Sequence, residues 1–442
     1  MPSSDYKRSF PSFQQGKGEA VALFGYSEAD HAWYPFPVGI NSQDVLLNRP
    51  SRLDSFGRQR VSEPYTIFYS KQIVDKGSLF FSEATGAGTS TITYNTGDAS
   101  TTLYASGSGA YAIRQTNMRF NYQPGKSQQI LTTFVLGEAE SGTTARVGYF
   151  NTHTGAPYTG NRDGIYFGRD DGGYFWAISK TGIENKVYQE DWEIDNFTGD
   201  GPSAATLDFT KSQIGATDFE WLGVGSVRCG FVYNGEFYYA HQFNHANNIE
   251  GVYMSSPNHS IRYEVFSDGP VTALKQISAS VQSEGGFNSI GVSVGVSTNG
   301  TSVDVAHNTD EILLAVRLQT GKFDTAVISE FFSTLSVTAN AHFEWFLCLN
   351  PTYTGTLSWS DVPNTSLQRA IGNNFVISDR GTVLAAGFAS RESKGDTLSV
   401  NTVLRLGADL DGTADIFVLG ARAIGNACTM HGSLNFLELN LG

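Results

Sequence analysis

The chain has 442 residues, a formal net charge of -14, 13% aromatic residues and only 16% charged residues. A surface this acidic repels a phosphate backbone or an anionic bilayer, which excludes nucleic acid and membrane as partners. The aromatic content excludes a disordered chain, and 48 glycines among abundant Ser, Thr and Asn predict many short strands joined by tight turns, an all-β fold.

Residues 1–70 are turn-rich and hold neither a period of 2 nor one of 3.6, so an extended N-terminal arm is expected. The opening MPSSDYKRSFPSFQQGKG lacks an apolar core, and no stretch reaches the ~20 apolar residues of a membrane helix, which predicts synthesis in the cytoplasm. Trp33, Tyr34, Phe36 and Phe68 are too large and apolar for a free tail. They are expected to pack on a neighbouring domain or subunit.

Residues 71–285 alternate strand signals with turns and read as a first antiparallel β-sandwich. The clearest unit is SVRCGFVYNGEFYYAHQF, where Asn234-Gly235 calls for a two-residue type I′ hairpin. The implied register sets Val232 against Phe237, Phe231 against Tyr238, Cys229 against Ala240 and Arg228 against His241. A cation beside His241 would disfavour its protonation. Valine at Gly235 should strain the turn, and the same change at Gly412 should matter less.

Residues 286–442 carry the runs GVSVGV, EILLAVRL, HFEWFLCL, VLAAGF, VNTVLRL, IFVLGARAI and LNFLELNL, which predict a second sandwich. NTSLQRAIGNNF is the segment expected to form a short helix or helical turn. No fixed-period repeat argues for a propeller or β-helix.

Several constellations have residue types that could carry chemistry. Glu193 with Asp195, and Asp218 with Glu220, stand two apart, as strand-borne acids of a retaining glycosidase would. Neither continues into a third acid, so solvated acids are expected. His241 and His245 lack a neighbouring carboxylate and read as hydrogen-bonding residues. Asp409, Asp411 and Asp415 surround Gly412, but the glycine comes too early for a calcium loop and the terminal glutamate is missing, so a polar turn is expected. Cys229, Cys348 and Cys428 sit in apolar runs and read as buried thiols. The sequons at Asn196, Asn258, Asn299 and Asn364 are expected from composition alone. No catalytic, cofactor-binding or metal-binding residue is assigned.

The strings SRLDSFGRQRVSEPYTIFYSKQIVDK, DFEWLGVGSVRCGFVYNGEFYYAHQFNHAN and VYMSSPNHSIRYEVF resemble a recurrent type of tailed-bacteriophage structural protein. The resemblance implies a lectin-like sandwich for residues 71–285 and carries no catalytic residues. The resulting expectation is a non-enzymatic virion protein on the head, neck or tail. It would assemble with itself, a trimer before a dimer, and meet other virion proteins through the N-terminal arm. The alternatives are a carbohydrate-binding receptor-recognition module, which would contact host surface glycan, and a β-sandwich glycoside hydrolase.

Overall fold

Alternation of apolar and polar residues builds this molecule strand by strand. Cys428–Glu438 shows the pattern most plainly, with every second side chain buried along its whole length. The structure, a computed structural model, describes residues 24–27, 32–35, 64–152, 154–390, 398–399 and 405–439. The fold is all-β, with antiparallel sheets packed as β-sandwiches. Among the described residues the helical content is one three-residue turn, Gln189–Asp191. No helix there is long and apolar enough to cross a membrane.

The chain divides into two compact units, Met1–Leu53 and Asp54–Gly442. In the first, Phe24–Ser27 pairs antiparallel with Ala32–Pro35. The side chains of Trp33, Tyr34 and Phe36 lie outside the described residues.

In the second unit, the strand Tyr65–Lys71 lies inside the large sheet and pairs with Ser278–Ser283. It carries Phe68, only 4% exposed, into the core of its own chain. The large sheet is organised by Ile261–Glu284, a 24-residue strand that serves both layers. Its first part lies between Thr143–Thr152 and the second half of Ser100–Thr116, and its last part runs beside Ser127–Val135. Register shifts on either side of Gly269, which sits at φ +137°, mark the bend between the two parts. Side chains from the two layers, among them Val147, Phe167, Trp176, Phe231, Tyr263 and Val281, interdigitate in one aromatic-rich core.

A second core joins a five-stranded sheet to a six-stranded one through Val296, Phe332, Leu434 and Phe436 against Leu314, Trp345, Leu347 and Leu419. Two expectations are corrected. NTSLQRAIGNNF contains a strand, Leu367–Ile371, paired with Leu314–Leu318. The Ser366 amide before it donates to buried Glu438 at 3.0 Å, so tertiary pairing overrides the local preference for a helical turn.

The hairpin at Asn234-Gly235 forms as expected at its tip, with Val232 opposite Phe237 and Phe231 opposite Tyr238. Below that a bulge shifts the register by one, so Cys229 faces His241 and Arg228 faces Gln242. The cause is local. The Ala240 carbonyl turns away to accept the amides of Ile194 and Asp195 at 3.0 and 3.2 Å.

Candidate functional site

Residues that alternate with the core-facing ones point from the large sheet to its other side. On Ile261–Glu284 these are Arg262, Glu264 and Phe266; on Thr143–Thr152, Arg146 and Phe150; on Ile183–Tyr188, Glu184, Lys186 and Tyr188. The centre of this face is a sealed ionic cluster. Glu264 accepts from Arg146 at 3.1 Å, Arg162 at 2.9 Å and Arg262 at 2.7 Å. Burial would raise its carboxyl, yet the three guanidinium groups, Arg162 foremost, hold it down at about 2. The loop between Thr143–Thr152 and Arg162–Asp170 closes over the cluster. Its Tyr158 and Thr159 carbonyls accept from Arg262 and Arg162.

At the rim of this covered face lies a groove of about 540 Å³, lined by Tyr188, Phe266, Thr144, Thr159 and the carboxylates of Asp170, Asp171 and Asp268. Each wall is braced from behind. The Tyr188 hydroxyl donates to Asp170 at 3.1 Å, and Lys186 donates to the same carboxylate at 2.6 Å. Phe266 leans on Tyr111, with ring centroids 6.1 Å apart, and the Arg162 guanidinium lies 5.6 Å from its centroid. Asp171 accepts the Gly142 amide at 2.8 Å, and Asp268 accepts the Ser108 hydroxyl at 2.6 Å. Gly172 is required here: a Cβ on it would lie 2.6 Å from the Tyr188 ring. The groove therefore offers fixed aromatic faces and oriented carboxylates before any ligand arrives. Burial works to raise Asp170, but Lys186, the Gly172 amide and Tyr188 outweigh it and bring the group below its ordinary value.

None of the acid pairs singled out in the sequence lines this groove. Asp195 is buried and accepts the amides of Phe197 and Ser203, both at 2.8 Å, while Glu193 is exposed beside it. Asp218 is held by Arg228 at 2.8 and 3.1 Å and accepts the Tyr239 hydroxyl, and Glu220 accepts the Ser226 amide at 3.2 Å. These acids brace loops and a hairpin.

His241 is buried against Phe243, and burial lowers its pKa against the pull of Glu193. It is disfavoured for protonation as expected, but through burial, since Arg228 is not its cross-strand neighbour. The His245 ring stacks on Tyr253 at 4.2 Å with Nδ1 2.8 Å from the Gly225 carbonyl.

The turn around Gly412 is a polar turn that ties the two halves of the second unit together. Asp415 accepts from Asn350 and from the Gly407 amide, Asp411 accepts the Thr413 amide, and Leu410 packs beside Tyr111 and Tyr158. Asp409 and Asp411 line a smaller cavity of about 220 Å³ with Arg119 and Asp324. Burial, with Asp415 and Asp411 nearby, raises Asp409 to about 6. Among the described residues no group of three His, Cys, Asp or Glu side chains is arranged to hold a metal ion. Cys229, Cys348 and Cys428 are free, buried thiols. Of the sequons, Asn258 is buried and consumed by the Tyr122 amide and the Asp324 carbonyl, both at 2.9 Å.

Sequence reasoning missed Asp170, Tyr188 and Phe266, and with them the Glu264 cluster. A signal was present in IRYEVFSD and ARVGYF, where charges alternate with core residues inside otherwise apolar strands. Such charges need partners on a face that is itself covered.

No family model and no curated protein matches the sequence. Among solved structures, the chain is similar to the metal-free carbohydrate recognition domain of Emp46p, with 8% identity, a TM-score of 0.30, and coverage of 50% of this chain and 98% of that one. A legume lectin-like domain from Entamoeba histolytica gives 8%, 0.31, 50% and 98%. A GH16 protein from Bacteroides ovatus in complex with a product gives 8%, 0.29, 49% and 99%. At such identities and scores, no activity or ligand passes from them to this chain.

Proposed function

We propose that this protein is a non-enzymatic structural protein of a bacteriophage particle that recognises neutral carbohydrate in the groove between Tyr188 and Phe266. The observation that carries the reading is the pairing, in one open groove, of two braced aromatic rings with three carboxylates. Ring faces take the apolar C–H face of a pyranose, and fixed carboxylates accept its hydroxyl protons. The same carboxylates repel sulfated or sialylated chains. Asp170 is poorly suited to the proton donation that glycoside hydrolysis demands, because its pKa lies below the ordinary value rather than above it. The particle setting rests on the resemblance of SRLDSFGRQRVSEPYTIFYSKQIVDK and its companion strings to tailed-phage structural proteins.

Binding of the full chain to an array of neutral and acidic glycans tests the reading. Signal on neutral oligosaccharides only, lost in both Tyr188→Ala and Phe266→Ala while the circular dichroism spectrum is kept, is the expected result. No neutral-glycan signal, retained binding in both variants, or release of new reducing ends from the bound sugar would overturn it. Detection of the chain in purified particles by mass spectrometry tests the setting.

A further inference from the structure

Sheet edges expose unpaired amides and carbonyls, and proteins that remain single protect them with charge, bulges or covering loops. Most edges here are protected. Ile183–Tyr188 carries Glu184 and Lys186, and the bulged Ala240 carbonyl of Glu236–Asn244 is covered by the amides of Ile194 and Asp195. Thr89–Asn95 shows water a row of threonines.

Thr382–Ser390 differs. It closes the six-stranded sheet, paired on one side with His342–Leu349, and no described strand lies on its other side. Its sequence TVLAAGFAS has neither charge nor proline and is the longest uncharged edge among the described residues. Phe388 stands 76% exposed on it and Val383 45%. On the sheet beside it, Arg380 and Arg422 are matched by Asp310 and Glu344 at 2.6 to 2.9 Å.

We infer that Thr382–Ser390 is a self-association strand, pairing antiparallel with the same strand of a second copy of this chain. Two copies with a net charge of -14 each repel at most approaches, and a neutral edge is where that repulsion is least. Antiparallel pairing of one strand with itself is reciprocal about a two-fold axis, so it yields a closed dimer. Phe388 of each copy then packs across the joined sheet instead of facing water.

Light scattering and sedimentation of the full chain over roughly two decades of concentration test this. The mass of two chains is expected at the upper end, falling to one chain in Ala386→Lys and Phe388→Glu, with Thr93→Lys on another edge keeping the dimer. Hydrogen exchange of the unmodified chain gives a reading that needs no variant: amides of residues 382–389 should slow as concentration rises. A single chain throughout the range, a mass of three chains, a dimer unaffected by both edge substitutions, or exchange at residues 382–389 that ignores concentration would each overturn the inference.

Discussion

Arg262 donates from Nε to Glu264 Oε2 at 2.7 Å, two residues along one strand and with both side chains fully buried. Strand alternation puts the two on the same face, and Arg146 from the adjoining strand and Arg162 from the strand beyond it converge there. Glu264→Gln leaves three buried guanidinium groups around a neutral amide. A loss of about 3–5 kcal/mol of stability is expected from breaking a buried ion pair. Denaturant unfolding checks it, and a loss of about 1 kcal/mol or less would show the cluster is dispensable.

The same carboxyl makes a pH prediction. Its folded value is about 2 against an ordinary 4.5, so the unfolded chain binds the proton more readily than the folded one. The stabilisation is therefore complete above pH 4.5 and is lost as pH falls towards 2. Melting temperatures of the unmodified chain and of Glu264→Gln, measured through that window, should converge as the pH falls.

Gly172 and Tyr188 provide a test of the groove that leaves the core between the two layers untouched, since Tyr188 packs only at the edge of the smaller cluster around Phe175. A Cβ at Gly172 would meet the phenol ring at 2.6 Å, so Gly172→Ala must turn the ring away. Affinity for a neutral glycan should fall by roughly tenfold, about 1.4 kcal/mol. The melting temperature should hardly move. Calorimetric titration beside a thermal melt separates the two.

Gly235 sits at φ +83° after Asn234 at +51°, and a Cβ on it would meet nothing within 4 Å. The penalty of Gly235→Val is therefore torsional, about 1–3 kcal/mol. Gly412 lies at φ +84° with only the Phe323 ring near its Cβ direction, at 3.8 Å. Gly412→Val should therefore cost a similar amount, which revises the expectation that this turn tolerates the change better. Parallel thermal melts decide it.

Burial raises all three thiols, Cys229 well above its ordinary value and Cys348 to about 12. A thiol reagent at neutral pH should label none of them in the folded protein and all three in denaturant, as intact mass reads directly. Rapid native labelling would show that one of these strands opens.

Composition and periodicity determined by themselves that this is an all-β protein. The Asn234-Gly235 tip and the burial of the three cysteines were legible for the same reason, since a tight turn and an apolar run are set by neighbours in sequence. The bulge at Ala240 was not legible, because its cause is a carbonyl drawn off by Ile194 and Asp195, more than forty residues earlier in the chain. Leu367–Ile371 became a strand only because Leu314–Leu318 lies beside it and Glu438 takes the preceding amide. The groove is the furthest from the sequence: Asp170, Tyr188 and Phe266 belong to three separated segments and meet only when Ile261–Glu284 is threaded between its neighbours. Sequence spacing decides which side of a strand a residue occupies, and the order of strands in the sheet decides what it meets there.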